Sequence, residues 1–182
     1  VQSVSMRIIR GRYKGKQIVT PKNLKVRPTT DFAKEALMNI VQNNFDIEEC
    51  DVLDLFSGTG NISFEFASRG AKSVWSIEQN PSCYKFIVKT KENLGFEQLK
   101  PIRADVLRFL PKIKEKYDFI FADPFYDMQK IEKIPELIFE NQLLKKDGWL
   151  VLEHSKQHDF SAFPQFDSIR NYGNANFTIF IN

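Results

Sequence analysis

The sequence predicts one α/β domain on a mostly parallel sheet, preceded by a short basic arm. Its 182 residues are enough for one well-packed domain and an appendage. From Cys50 onward, short apolar runs alternate with stretches of helical periodicity. This alternation is typical of β-α-β units, whose crossovers are right-handed by default. The chain then ends in two strand-like runs joined by a short turn, which predicts an antiparallel hairpin at one edge of the sheet.

The first predicted element is a small hairpin over residues 7–20, where apolar and basic residues alternate around Gly11 and Gly15. We expect its bases on one face, and residues 1–5 are not expected to belong to the fold. Residues 21–28, bounded by two prolines, are predicted to connect this hairpin to the first helix.

The first helix is predicted to begin after a cap at Thr29 or Thr30 and to extend to about Asn43. An apolar stripe at helical spacing predicts the side that faces the core. The stripe consists of Phe32, Ala36, Leu37, Ile40 and Val41.

Five strands and four helices are predicted to follow in alternation, and the C-terminal hairpin brings the sheet to seven strands. The strands are predicted at 52–56, 73–78, 100–104, 117–122 and 148–154, and the helices at 61–69, 81–94, 105–114 and 129–141. The hairpin strands are predicted at 168–172 and 176–182, with the turn at Gly173.

Composition excludes several classes of protein. Charged residues make up 27% of the chain and hydrophobic residues 42%, an ordinary globular mixture. No apolar run reaches the roughly 18 residues of a membrane span, and no secretory signal is visible. Cys50 and Cys83 lie far apart without neighbouring ligands, and His158 falls in a predicted loop after His154. We therefore expect a cytoplasmic protein without membrane association or metal, in which His154 at most lines a pocket.

Charge is unevenly distributed along the chain. Residues 1–30 contain eight bases and no acid, whereas residues 31–182 contain 18 bases and 23 acids. Such an arm is typical of contact with a polyanion. The strongest candidates for binding phosphate are Arg10, Arg12, Lys14 and Lys16, and Arg27 is a further candidate, expected to reach toward the site of reaction.

A glycine turn joins the first strand of the main sheet to the next helix, in the run from Asp54 to Gly60. Glycine there lets the backbone approach a ligand closely. The glycine fingerprint of dinucleotide-binding proteins is incomplete here, because Ser63 occupies the position at which that fingerprint has glycine or alanine.

Three acids at strand ends specify the ligand further. Asp54 points at the turn and could meet a cationic amino group, Glu78 could accept both ribose hydroxyls, and Asp105 could accept from an adenine amino group. A ligand with an adenosine and an ammonium but no required phosphate matches S-adenosylmethionine better than NAD. The predicted cofactor-binding residues are Asp54, Phe56, Ser57, Gly58, Thr59, Gly60, Glu78, Gln79, Asp105 and Val106.

The second candidate site follows the predicted buried strand around residues 118–121. That strand ends in Asp123-Pro124-Phe125-Tyr126. An acid beside flat aromatic side chains suits the binding of a planar nitrogen base.

This ending resembles the (Asp/Asn/Ser)-Pro-Pro-(Phe/Tyr) motif of methyltransferases that act on exocyclic amino groups of nucleobases. The wider pattern resembles the RsmD family, bacterial 16S rRNA guanine-N2 methyltransferases. Four stretches carry the resemblance: Met6-Arg-Ile-Ile-Arg-Gly-Arg-Tyr-Lys-Gly-Lys, Arg27-Pro-Thr-Thr-Asp-Phe-Ala-Lys-Glu-Ala-Leu, Asp54-Leu-Phe-Ser-Gly-Thr-Gly and Tyr172-Gly-Asn-Ala-Asn-Phe-Thr-Ile-Phe.

The resemblance implies a Rossmann-like class I methyltransferase fold over residues 29–182, and an RNA-binding arm over residues 1–28. It implies methyl transfer from S-adenosylmethionine to N2 of guanine 966 in 16S rRNA, either free or in a small-subunit assembly particle. Nothing in the sequence demands more than a monomer.

One position departs from the family motif, because Phe125 replaces its second proline. Proline fixes φ near about −65° and has no N–H, so we expect a looser turn around the Pro124 carbonyl. Asp123 and that carbonyl are expected to accept the two hydrogens of the guanine amino group. Tyr126 and Phe125 are expected to stack on the base.

Three alternatives remain open at this point. An adenine-N6 DNA methyltransferase shares the acidic motif, although such enzymes usually carry a further recognition domain. A non-catalytic RNA-binding module of the same fold is favoured by Phe125. A nicotinamide oxidoreductase is disfavoured by Ser63 and by Asp123-Pro124.

Overall fold

The computed structural model describes residues 5–22, 24, 29–125, 128–173 and 175–182. Within these ranges the chain forms nine strands and five α-helices. The strands are β1 (Ser5–Arg7), β2 (Gln17–Val19), β3 (Asp51–Leu55), β4 (Ser73–Ile77), β5 (Leu99–Ile102), β6 (Tyr117–Ala122), β7 (Leu144–His154), β8 (Phe166–Tyr172) and β9 (Ala175–Ile181). The helices are α1 (Asp31–Asn44), α2 (Asn61–Ser68), α3 (Pro81–Leu94), α4 (Val106–Phe109) and α5 (Lys133–Glu140).

The predicted seven-stranded, mostly parallel sheet is confirmed. Its strand order is β5-β4-β3-β6-β7-β9-β8. The first five strands of this order pair in parallel, and β9 pairs antiparallel with both β7 and β8. The carboxyl ends of the parallel strands therefore share one edge of the sheet, where ligands bind in open α/β sheets.

Helices cover both faces of the sheet, and side chains alternate between two hydrophobic cores. Along β6, Phe119 and Phe121 pack in the core that includes α1, α2 and α3. Ile120 and Ala122 pack in the opposite core, with α4 and α5. This alternation fixes which face each side chain presents where β6 ends.

The N-terminal hairpin is confirmed, but its strands are shorter than predicted and begin at Ser5. Met6 pairs with Ile18, and both side chains are buried in the main core. The connection packs closely on α2: Gly11 has φ +86°, and a Cβ there would lie 1.9 Å from the Ser68 carbonyl oxygen. Of the predicted bases, Arg7 is exposed at the end of β1, whereas Arg10, Arg12, Lys14 and Lys16 lie in the connection between the two strands.

The apolar stripe predicted for the first helix is only partly correct. Its buried side chains are Ala33, Lys34, Leu37, Met38 and Val41. Phe32 is instead 65% exposed and lies against the Tyr172 ring at 6.3 Å. The buried face is rotated because the Lys34 side chain lies in the interior, where its ammonium group donates to the Asn61 side chain and forms an ion pair with Glu65.

Other element boundaries differ locally. The predicted helix over 105–114 is a single turn, α4, followed by a 3-10 turn over Leu110–Lys112, because Pro111 has no N–H to continue the helix. The helix predicted over 129–141 begins only at Lys133, and β7 begins at Leu144 rather than 148. Among the described residues, no helix has the length and apolarity to cross a bilayer. The predicted connection over 21–28 lies largely outside the described residues.

Candidate active site

Four acids occupy the carboxyl edge of four neighbouring strands. Asp54 lies in β3, Glu78 directly follows β4, Asp123 directly follows β6, and Glu153 lies in β7. Sequence patterns identified the first three of these acids. The paired strands bring all four to one edge of the sheet.

The turn after β3 has an unusual backbone. Phe56, Gly58 and Gly60 have φ values of 59°, 55° and 82°. A bulky residue such as Phe56 rarely adopts positive φ, and such strain concentrates at ligand sites. A Cβ on Gly58 would meet no atom within 4 Å, so this part of the turn borders open space. A Cβ on Gly60 would lie 2.9 Å from the Phe64 ring, so that position requires glycine.

Asp54 is buried and tied to the next helix. Its Oδ2 accepts hydrogen bonds from the Ser63 backbone N–H at 3.1 Å and from the Ser63 hydroxyl. Burial raises the pKa of Asp54 to about 7. Ser63 is therefore the residue that holds the strand acid against the start of α2, a role that sequence reasoning did not assign to it.

Glu78 fixes the turn from the neighbouring strand. Its Oε2 accepts from the Gly58 N–H and its Oε1 from the Asn80 N–H, each at 2.7 Å. Burial raises the pKa of this carboxyl. Since each carboxylate oxygen has two acceptor positions, both oxygens keep capacity for hydroxyl donors of a ligand.

The remaining candidate cofactor residues surround this turn. The Ser57 hydroxyl donates to the Asp54 carbonyl oxygen at 2.8 Å, and Thr59 is buried against the Met6 sulfur at 3.7 Å. Gln79 is exposed beside Glu78, and Val106 is buried at the start of α4. Asp105 is exposed and caps α4, its Oδ1 accepting from the Arg108 N–H at 3.0 Å.

The acceptor motif lies next to the glycine turn. Phe125 is 54% exposed, so its side chain is available at the surface rather than packed in the core. Its ring makes an edge contact with Phe56, with centroids 6.1 Å apart. This contact joins the two predicted sites. Tyr126 lies outside the described residues.

Asp123 is in a strongly acidic environment. Burial raises its pKa well above the ordinary value, and the nearby carboxylates of Glu153 and Asp54 raise it further. Sequence reasoning missed Glu153. Its signal was a lone acid within the apolar run Leu150-Val-Leu-Glu-His154.

A small cavity of about 30 Å³ lies beside Asp123. Its lining includes Asp123, Pro124, Phe125, Ile131, Glu153, His154, Ser155 and His158. His154 thus lines the pocket, and burial lowers the pKa of its imidazole. Among the described residues, no cluster of three or more His, Cys, Asp or Glu side chains is arranged to hold a metal ion.

The predicted RNA-binding bases are all exposed where the structure describes them. The Arg12 guanidinium lies 5.3 Å from the centre of the Tyr13 ring, and Arg10 reaches the Gln42 side chain at 3.4 Å. Lys14 and Lys16 extend from the same connection. Arg27 lies outside the described residues.

Comparison with known proteins identifies the family. The family model described as Conserved hypothetical protein 95 matches residues 6–181. A ribosomal RNA small subunit methyltransferase D of Buchnera aphidicola subsp. Baizongia pistaciae is 32% identical over 149 residues, covering 82% of this chain and 76% of the relative. The chain belongs to the RsmD family. A putative rRNA methyltransferase of Bacillus subtilis, YlbH, is 34% identical to this RsmD-family chain over 159 residues, with 84% of each covered.

Solved structures agree with the fold. A putative methyltransferase, yhhF, of Escherichia coli matches this RsmD-family chain with a TM-score of 0.86 at 22% identity, covering 98% of each chain. The putative methylase HI0767 of Haemophilus influenzae matches with a TM-score of 0.81 at 25% identity, covering 98% and 99%. The predicted class I methyltransferase fold is confirmed.

Proposed function

We propose that this chain transfers a methyl group from S-adenosylmethionine to the exocyclic N2 of a guanine in 16S rRNA, guanine 966 by family resemblance. The observation that carries the proposal is the position of Asp123-Pro124, directly after β6 and beside the glycine turn of β3. The proposed enzyme is a cytoplasmic monomer that acts on free rRNA or on a small-subunit assembly particle. Relatives named as small subunit rRNA methyltransferases support this substrate.

The residues at the turn fit an adenosyl cofactor. Open space over Gly58, the two anchored oxygens of Glu78 and the strained turn at Phe56 support a site for a hydroxylated ligand here. Glu78 would accept the ribose hydroxyls, and Asp54 would attract the amino group of the methionine part. Asp105 would accept from the adenine amino group with a carboxylate oxygen. When bound, the cofactor supplies an electrophilic methyl group on a sulfonium.

Asp123 and the Pro124 carbonyl would act on the acceptor. The lone pair of guanine N2 is delocalised into the ring, so the amino group is a poor nucleophile. Two acceptors that bind its two hydrogens favour a more tetrahedral nitrogen with a directed lone pair. Catalysis then depends mainly on positioning and electrostatics. Methyl transfer would form the N–C bond while the bond between sulfur and the methyl carbon breaks and its electron pair returns to sulfur, and one N2 proton would leave to the Asp123 carboxylate or to water.

Aromatic side chains would hold the target base. Phe125 is exposed beside Phe56, where it can stack on an unpaired base. Tyr126 is proposed to share this role. The base must be unstacked to reach the site, at a cost of a few kcal/mol.

The basic arm would bind the RNA backbone. Arg10, Arg12, Lys14 and Lys16 form an exposed cationic surface on the connection between β1 and β2. Arg27 is proposed to extend this surface toward the active site. Such contacts position the RNA without reading its sequence.

The variant Asp123→Ala tests the proposal. Labelled S-adenosylmethionine is offered with naked 16S rRNA, with small ribosomal subunits and with DNA. We expect the wild type to label an RNA substrate and the variant to be about 10²–10⁴-fold slower, while calorimetry shows unchanged cofactor binding. Asp167→Ala, at an exposed aspartate of β8, is the matched control and should keep full activity. Near-normal turnover by Asp123→Ala, or labelling of DNA alone, contradicts the proposal.

A further inference from the structure

Glu153 stands beside Asp123 at the end of the neighbouring strand. In the parallel pair of β6 and β7, Ala122 is opposite Leu152. The next residues along these strands are Asp123 and Glu153, so their backbones lie about 5 Å apart. Both side chains line the same cavity.

Strand alternation places the two carboxyl groups on one face. Phe121 and Val151 belong to the core on the α1 side, whereas Ala122 and Leu152 belong to the opposite core. Asp123 and Glu153 therefore follow the parity of Phe121 and Val151. The proximity of Glu153 is one reason, after burial, why the pKa of Asp123 is raised.

Hydrogen bonds made by the residues that directly follow Glu153 hold this part of the chain in place. Since the Ser155 carbonyl can only accept, His154 Nδ1 donates to it at 2.8 Å, and Nε2 then accepts from the Thr178 hydroxyl at 2.7 Å. The Asn176 side chain also donates to the His154 carbonyl oxygen at 3.2 Å. His154 is thus a structural anchor at the end of β7, and it fixes the direction of the residues on either side of it.

The Ser155 side chain adds a polar group to this cavity. Ser155 is 6% exposed, and its hydroxyl has no hydrogen-bond partner among the described residues. A buried hydroxyl without a partner is costly unless a ligand supplies one. The cavity therefore presents two carboxyl groups and a hydroxyl donor within one short stretch of the sheet edge.

This set of groups matches the hydrogen-bonding edge of guanine. That edge presents the N2 amino group, the N1–H and the O6 acceptor in a row. We infer that Glu153 reads the target base by accepting its N1–H next to the N2 group held by Asp123, with the Ser155 hydroxyl donating to O6. The inference rests on the proposed function and adds the residues that select guanine. An N–H bond to a carboxylate is charge-assisted and therefore among the stronger hydrogen bonds.

The base 2,6-diaminopurine provides the discriminating substrate. It keeps the N2 amino group, but its N1 is an acceptor and its position 6 carries a donor. Two acceptors, N1 and the Glu153 carboxylate, would then face each other. In Glu153→Gln, the side-chain amide can donate to this N1, so the preference for guanine should weaken.

The experiment compares methyl transfer to 16S rRNA that carries either guanine or 2,6-diaminopurine at the target, naked or assembled into small subunits. Because both RNAs use the same cofactor and the same Asp123, a general loss of activity cancels in the ratio of kcat/KM. We expect the wild type to prefer guanine, and Glu153→Gln to lower that preference about 5- to 150-fold. Ser155→Ala should lower the preference in the same direction. Glu140→Gln, at an exposed glutamate of α5, is the matched control and should leave the ratio unchanged.

Cofactor affinity measured by calorimetry should be the same in wild type and Glu153→Gln. If the variant is too slow to time, competition binding of the two RNAs gives the same ratio. An unchanged preference in Glu153→Gln, with an active wild type, overturns the inference and leaves the proposed function intact. A wild type that labels no RNA overturns both.

Discussion

Replacing Glu65 with glutamine tests the buried network that attaches the basic arm to the sheet. Glu65 is fully buried in α2. Its Oε2 accepts from the Ile9 N–H at 2.8 Å and lies 3.5 Å from Lys34 Nζ, and its Oε1 accepts from the Arg10 N–H at 3.1 Å and from Arg69 Nε at 2.8 Å. Lys34 in turn donates to the Arg7 carbonyl and to Asn61. Three segments of the chain therefore meet at one carboxylate.

The Glu65→Gln substitution keeps the size of the side chain and removes its charge. In either orientation the amide nitrogen faces donors from which it cannot accept, the Ile9 N–H or the Arg10 N–H, and the Lys34 ammonium is left without its closest counter-charge. Breaking a buried ion pair from one side costs about 3–5 kcal/mol, a large part of the 5–15 kcal/mol typical of domains. For a chain of this size, the unfolding midpoint should fall by roughly 6–20 °C.

The dependence on pH distinguishes this mechanism from a simple packing defect. Burial lowers the pKa of Lys34 in the folded protein, and Glu65 opposes that shift. Without Glu65 the folded-state pKa falls further below the unfolded value, so the unfolded chain binds more protons in the interval between them. The stability of the variant should therefore rise as the pH increases through that interval.

The assay is thermal and urea unfolding followed by circular dichroism, with hydrogen exchange of residues 5–20. The control is Glu136→Gln, which breaks a more exposed pair with Lys133 and should leave the midpoint almost unchanged. A midpoint within 2 °C of wild type, or unchanged protection of the arm, would refute the reasoning.

Two further predictions concern binding. Replacing Arg12, Lys14 and Lys16 by glutamine in one triple variant should weaken RNA binding. The slope of log affinity against log salt should fall by about 2, since each lost phosphate contact on a single strand contributes roughly 0.7. An unchanged slope in a salt titration would exclude these three residues as phosphate ligands. As the pH is raised toward 7, the affinity for S-adenosylmethionine should increase by up to about tenfold per pH unit, and above 7 it should level off. The reason is that burial raises the pKa of Asp54 to about 7, and the ammonium group of the cofactor requires the charged form of this carboxylate. Calorimetry on Asp54→Asn isolates this residue from Glu78, and a wild-type affinity that is flat between pH 5.5 and 8.5 contradicts the assignment.

Local patterns were sufficient for the order of elements along the chain. The glycine turn after β3 and the helix over 81–94 follow from short-range rules, since a cap at Asn80 and a left-handed Gly95 bound that helix. The apolar stripe of α1 failed for a long-range reason. A prediction from periodicity assumes that charged residues are exposed. Lys34 is nevertheless buried, because Glu65 and Asn61, both distant in sequence, pair with its ammonium group.

The residues of the candidate site likewise fall into those that local sequence predicts and those that only the tertiary structure brings together. The sequence alone determined the α/β fold, the arm of bases and the acids Asp54, Glu78 and Asp123, because each depends on residue type at a strand end or on local composition. Only the tertiary structure placed Glu153 beside Asp123 and buried the Ser155 hydroxyl in their cavity. Strand order and register decide these neighbours, and they arise from packing between segments that no local pattern in the chain encodes.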